Sequence, residues 1–281
     1  MSETILTVGA AGQFAGLVIP ALKARGANVK GLVRSAGDAD TARGNGADEI
    51  ATGDLSDAAS VAAALKGVTS VFYIAPVALP NEAETGQAFV AAAIAAGVRR
   101  FIFSSVIHPV LAGLPNHANK APVEAAVLES DLEYVFLHPT VLFQNYAAAW
   151  PKIVKTGTIG EPWSNETRFS RVDYRDVAEV AAIALTEDRL LYGTFELCAE
   201  GWLDRHEVAA LAGEILGREI TARRIDPDTL GEDAKPLRPM FDHYDRIGLR
   251  GNALTLRAIL GREPRTLRAY FEELAAQNTG R

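Results

Sequence analysis

The run Thr4–Val8 (TILTV) is short, apolar and β-branched, and it stops at Gly9; Phe14, Leu17, Val18 and Leu22 then recur at helical spacing. A strand that enters a helix through Gly9-Ala10-Ala11-Gly12-Gln13-Phe14-Ala15-Gly16 leaves few folds open. Gly9 and Gly12 allow a tight turn and a close backbone approach, and the small Ala15 lets the helix pack near the strand. Gly26 stops the helix and Asn28–Val33 (NVKGLV) reads as a second strand, completing a βαβ unit. The alternation continues with a strand near Glu49–Ala51, a helix from about Ala58 to Leu65, the strand Ser70–Ala75 and a helix over Ala83–Ala96. The strand Arg100–Ser104, a helix from about Lys120 to Ser130 and the strand Glu133–His138, ended by Pro139, follow. Strands alternating with helices imply a parallel sheet covered on both faces, which is why VFYIA and FIFSS are continuous runs. The expected class is α/β, a Rossmann-type doubly wound parallel sheet with a smaller mixed C-terminal portion.

Beyond Thr140 the pattern loosens. Pro151, Gly157, Gly160 and Pro162 punctuate the stretch before a helix from about Asp173 to Leu185; a strand at Phe195–Leu197, a helix at Arg205–Leu216 and two helical patterns flanking Pro264 complete the chain. We expect a nucleotide-binding domain over 1–145 and a substrate-binding portion over 146–281, packed against it.

Composition narrows the partners. The 281 residues are 48% hydrophobic and 22% charged, with a net charge of −7, which disfavours broad binding to nucleic acid. Cys198 is the single cysteine and the histidines show no metal-ligand spacing, so neither a disulfide nor a metal is expected. No signal-like start or long apolar run is present, so a cytoplasmic protein without a membrane partner, monomeric or homodimeric, is expected.

The first turn reads as a pyrophosphate cradle, with Gly9, Ala11, Gly12, Gln13 and Phe14 as its cofactor-binding residues and the helix N-terminus meeting the negative charge. At the end of the second strand, where NAD-binding units carry an acid, this chain has Arg34. A guanidinium there suits the 2′-phosphate of NADP(H), a contact of about 1.5–3 kcal/mol. Asp54 and Leu55, after the third strand, suit the adenine; Asp54 can equally cap the turn that follows.

These residues, with GDLSD at Gly53–Asp57, GVRRFIFSS at Gly97–Ser105, Lys120 with Glu124, HPTVLFQNY at His138–Tyr146, DYRDVAEVAAIAL at Asp173–Leu185 and LGREPRTLRAYFEE near the end, resemble the NmrA-like atypical short-chain dehydrogenases over nearly the whole chain. The resemblance implies a Rossmann domain, NADP(H), and one of two behaviours: reduction of quinones, dyes or phenolic ethers, or cofactor sensing without turnover. It also implies that Ala75 and Pro76 flank the nicotinamide ribose and that Pro139, with Thr140, lies near the nicotinamide. The wider superfamily pairs a tyrosine with a lysine four residues on; here Asn116 precedes Lys120, and an amide is no general acid. Lys120 would hold the ribose or act on the substrate; the alternative is a surface ion pair with Glu124. Ser104 and Ser105 end the fifth strand at the ligand-binding edge, and Ser105 is the second catalytic candidate, with Val106 an alternative register. His138 stands where the family has an arginine. Asn145, Tyr146, Trp150 and Trp163 could line an acceptor pocket or seal a junction. The expected function is an NADPH-dependent reductase of a quinone-like or other conjugated acceptor; the alternative is a redox sensor that regulates a protein partner.

Overall fold

β1 (Thr4–Val8), β2 (Asn28–Val33), β3 (Glu49–Thr52), β4 (Ser70–Tyr73), β5 (Arg100–Ser104) and β6 (Glu133–Pro139) all enter one seven-stranded sheet, completed by the strand Gly193–Leu197. The computed structural model describes residues 3–76, 79 and 81–279. The strand at Gly193–Leu197 lies beside β6, and the order continues β5, β4, β1, β2, β3. The ladders joining β3, β2, β1, β4, β5 and β6 are parallel, with β1 seated between β2 and β4. The parallel, doubly covered sheet expected from the alternation is therefore present. The sequence reverses direction of travel at β1, so the carboxyl ends of β1, β2 and β4 make the crevice in which open α/β sheets bind ligands.

Two compact units divide the chain: one of Met1–Val110, His117–His138 and Val177–Phe195, the other of Leu111–Asn116, Pro139–Asp176 and Glu196–Arg281. In the first, Tyr73, Phe89, Phe101, Phe103 and Phe136 form an aromatic core beneath the helices Glu82–Ala95 and Ala121–Leu128. Tyr73 stacks on Phe89 with centroids 4.9 Å apart. The Arg100 guanidinium is buried, donating to Glu133 and Asp188 and to the carbonyls of Ala184 and Glu187, so the segment that returns at 177–195 is fastened to β5.

The second unit departs from the looser stretch that Pro151 and the glycines suggest. Asn145–Thr156 is a helix with Pro151 inside it. Tyr146, Trp150 and Ile153 fall on one buried face at spacings of four and three, and burying a Trp and an Ile outweighs one missing backbone bond. Trp150 lies 4.8 Å from Phe271 and Tyr146 meets the same ring edge-on. Two small parallel ladders, Thr158–Glu161 with Thr221–Arg224 and Val141–Leu142 with Arg171–Val172, were not expected from the sequence. Strands of two to four residues show too little periodicity to stand out. Among the described residues no helix is long and apolar enough to cross a membrane, and no group of three His, Cys, Asp or Glu could hold a metal ion.

Candidate active site

The turn after β1 is held by its own backbone. The Gly9 and Ala10 N–H groups both donate to the Leu32 carbonyl at 3.1 Å, fixing the turn to the end of β2. Gly9 has φ +74°, and Gly12 donates to the Gly9 carbonyl at 2.7 Å. A Cβ on Gly12 would stand 3.0 Å from that carbonyl oxygen, tighter than ordinary contacts, so a side chain there would push on the turn. The helix Ala15–Lys23 that follows has no side-chain cap and no acid in its first turn. Its positive end is thus left for an anion supplied from outside.

Gly9, Arg34, Asp54, Leu55 and Pro76 line one cavity of about 380 Å³, together with Val8, Leu32, Ser56, Asn81 and Thr85. Arg34 is exposed and makes no ion pair among the described residues. Asp54 is engaged: its Oδ1 accepts from the Ser56 N–H at 2.8 Å and the Ser56 hydroxyl at 2.6 Å. Those two bonds, and then the charge of Arg34, hold its carboxyl below the ordinary 3.8. The turn-capping role weighed for Asp54 is therefore real, and it also fixes the carboxylate in the cavity wall. Ala11, Gly12, Gln13 and Phe14 build the turn without lining this cavity. Ala75 packs on the aromatic core, and Ser104 and Pro139 are the last residues of β5 and β6.

A second cluster stands at the carboxyl ends of β5 and β6. Lys120, just before the helix Ala121–Leu128, is ion-paired with Glu82 in the first turn of Glu82–Ala95, both mostly buried. The surface pair with Glu124 does not form. Glu124 instead faces Ser105 and His138: its Oε1 accepts from the Ser105 hydroxyl at 2.5 Å and lies 2.9 Å from His138 Nε2. The Ser105 N–H donates to the Leu137 carbonyl at 2.9 Å, so β6 sets the serine beside the histidine. The Tyr73 phenol is close enough to Glu82 to feel its charge, but burial and then that carboxylate push its pKa far up, and its hydroxyl is buried without a partner. Asn116, in the other unit, hydrogen-bonds the phenol of Tyr244, which burial pushes up to about 12 against that bond. Glu82 and the pairing of Glu124 with His138 escape sequence reasoning, because contacts 38 and 14 positions apart carry no local spacing signal.

In the second unit, Asn145 and Tyr146 line a separate cavity of about 590 Å³ with Lys152, Ile159, Glu161 and Arg223. Tyr146 accepts a hydrogen bond from Arg171 at 3.1 Å. Burial raises its pKa. Trp150 belongs to the core, and Trp163 packs on Phe169 and Tyr244.

The model of the NmrA-like family matches residues 1–254. An NAD(P)H azoreductase from Xenophilus azovorans is 31% identical over 221 residues, 77% of this chain and 75% of the relative. The triphenylmethane reductase of Citrobacter sp., solved with NADP(H), superimposes with a TM-score of 0.86 at 20% identity, over 97% of this chain and 100% of that one. The NADPH-dependent quinone oxidoreductase QOR2 of Escherichia coli, solved with NADPH, gives 0.85 at 21% identity over 97% and 100%. A family match over nine-tenths of the chain, a relative above 30% identity and a shared sheet place it together: this chain belongs to the NmrA-like family.

Proposed function

We propose that the protein is an NADPH-dependent reductase that passes hydride to a quinone-like or other conjugated small-molecule acceptor. The observation that carries this reading is the unpaired Arg34 in the wall of the cavity that starts at the Gly9 turn. A guanidinium that makes no direct ion pair, beside a glycine turn, suits the 2′-phosphate of NADP(H). The fit extends along the wall: the Gly12 turn has the close backbone approach a pyrophosphate needs, and Leu55 offers a face to the adenine. Gly9, Ala11, Gly12, Gln13, Phe14, Arg34, Asp54, Leu55, Ala75, Pro76, Ser104 and Pro139 would hold the cofactor, with Lys120, steadied by Glu82, toward its nicotinamide ribose. When bound, the cofactor supplies the hydride. The chain supplies orientation and hydrogen bonds, with Ser105 the donor to the acceptor. The azoreductase, triphenylmethane reductase and quinone oxidoreductase relatives support a reductase of flat, conjugated molecules.

The test is NADPH consumption by the purified protein against benzoquinones, naphthoquinones and triarylmethane dyes, with NADH in parallel and cofactor binding measured in the same samples. Saturable, NADPH-preferring turnover is expected. Tight NADPH binding with no turnover on the whole panel would replace this reading by that of a cofactor sensor.

A further inference from the structure

We infer that Ser105, Glu124 and His138 form the proton route to the acceptor oxygen, an inference that rests on the reductase reading above. Hydride addition to a quinone leaves a negative oxygen, and some group must protonate it. The superfamily's phenol is absent, since Asn116 holds its place. Tyr73 cannot substitute: its hydroxyl is fully buried. The Lys120 ammonium is occupied by Glu82. Ser105 is left, at the carboxyl edge of the sheet, and its hydroxyl already sits in a chain of donors and acceptors.

That chain has a defined direction. Glu124 Oε1 accepts the Ser105 O–H at 2.5 Å, and His138 Nε2 lies 2.9 Å from the same oxygen, placed to donate its hydrogen there in the Nε2–H tautomer. One carboxylate oxygen thus joins a hydroxyl and an imidazole, all three on side chains that are buried or nearly so. The acceptor gains a hydride and its two electrons, forming one bond on the ring; its oxygen then takes the Ser105 hydroxyl proton. As the Ser105 proton leaves, His138 Nε2 gives its hydrogen to Glu124 Oε1, which passes it to Ser105 Oγ, while His138 Nδ1 takes a proton from water so that the imidazole never becomes an anion. The sum is one hydride and one solvent proton per acceptor reduced. Ser105 is the group that touches the acceptor, and Glu124 and His138 act through it.

This route predicts a split by acceptor chemistry. A quinone needs hydride and proton, whereas a cationic triarylmethane dye is a carbocation that hydride alone neutralises. In Glu124→Gln the amide oxygen still accepts a hydrogen bond but carries no proton; His138→Asn ends the chain. Both variants are compared with the wild type at saturating NADPH, with benzoquinone and with crystal violet. The quinone-to-dye ratio of kcat is expected to fall at least tenfold, a part of the roughly 10²–10⁴-fold that general acid catalysis contributes. In the cofactor-free protein, the His138 Nε2–H signal in the NMR spectrum of ¹⁵N-labelled protein is expected to be protected from solvent exchange and to lose that protection in Glu124→Ala. A folded Glu124→Gln or His138→Asn with an unchanged ratio overturns the route, as does an unprotected Nε2–H in the wild type. Wild-type protein that reduces neither acceptor overturns the reductase reading itself, and the route with it.

Discussion

The charges buried in the two units and the one at the mouth of the first unit's cavity are treated differently. In the second unit, charged groups deep in the structure are answered at once. Asp173 binds Arg175 at 2.6 Å and accepts from Gln144 at 2.8 Å. Asp176 holds Arg262 at 2.7 Å and Arg265. Arg205 binds Glu161 at 3.1 Å and Asn165 at 2.6 Å. In the first unit the Arg100 cluster is answered in the same manner, yet Arg34 stands open at the mouth of a cavity. A closed network holds the fold; an open charge is available to a ligand. The contrast separates residues whose loss should be read in stability from those whose loss should be read in binding.

The largest effect expected is on the closed side. Trp150→Ala removes the ring packed on Phe271 from the core of the second unit and should cost ~4 kcal/mol in unfolding free energy, measured by urea denaturation. A loss under 1 kcal/mol would mean that this core repacks freely. Next comes the turn. Gly12→Val sets a branched side chain against the Gly9 carbonyl and should weaken NADPH binding roughly 100-fold, about 2.8 kcal/mol, with the melting temperature within a few degrees of wild type. Equal losses of binding and stability would erase the distinction between the units. Arg34→Ala should lower NADPH affinity about tenfold to hundredfold, ~1.5–3 kcal/mol, and leave NADH affinity within about threefold. Calorimetry with both cofactors checks it, and equal loss of the two would remove the phosphate from Arg34. The smallest effect is a slope. Burial pushes the Asp173 carboxyl up, but Arg175 and Gln144 outweigh it and hold it below the ordinary 3.8. A carboxylate with a depressed folded value contributes stability that is full above its unfolded value and is lost as the pH falls through the folded one. Unfolding free energy should therefore drop more steeply below pH 4 in the wild type than in Asp173→Asn, and parallel acid limbs would count against that carboxylate.

How far the sequence reached follows the range of the interactions. The strands Thr4–Val8, Asn28–Val33 and Arg100–Ser104 and the helix Arg205–Leu216 fall where the apolar pattern puts them, because a buried parallel strand and a glycine-closed helix announce themselves locally. Arg34, Asp54 and Leu55 are readable because a strand end fixes their positions relative to the turn. The helix Asn145–Thr156 is not: Pro151 argues against it locally, and only Phe271, far along the chain, explains it. Glu82 with Lys120, and Glu124 with Ser105 and His138, are meetings of separate elements, and no spacing rule foretells which of two nearby acids a lysine will choose.

The first unit is assembled from three stretches of chain, and the last of them ends at Phe195. During synthesis this means that the first unit, although begun first, cannot close when β6 leaves the ribosome. The carbonyls of Ala184 and Glu187 that receive the buried Arg100 guanidinium have yet to be made. At ~5–20 residues per second, the ribosome needs roughly 3–11 s to travel from His138 to Phe195. For that interval the Arg100 cation and a sheet edge are open, at a stage when both strands that hold the Gly9 turn have already been made.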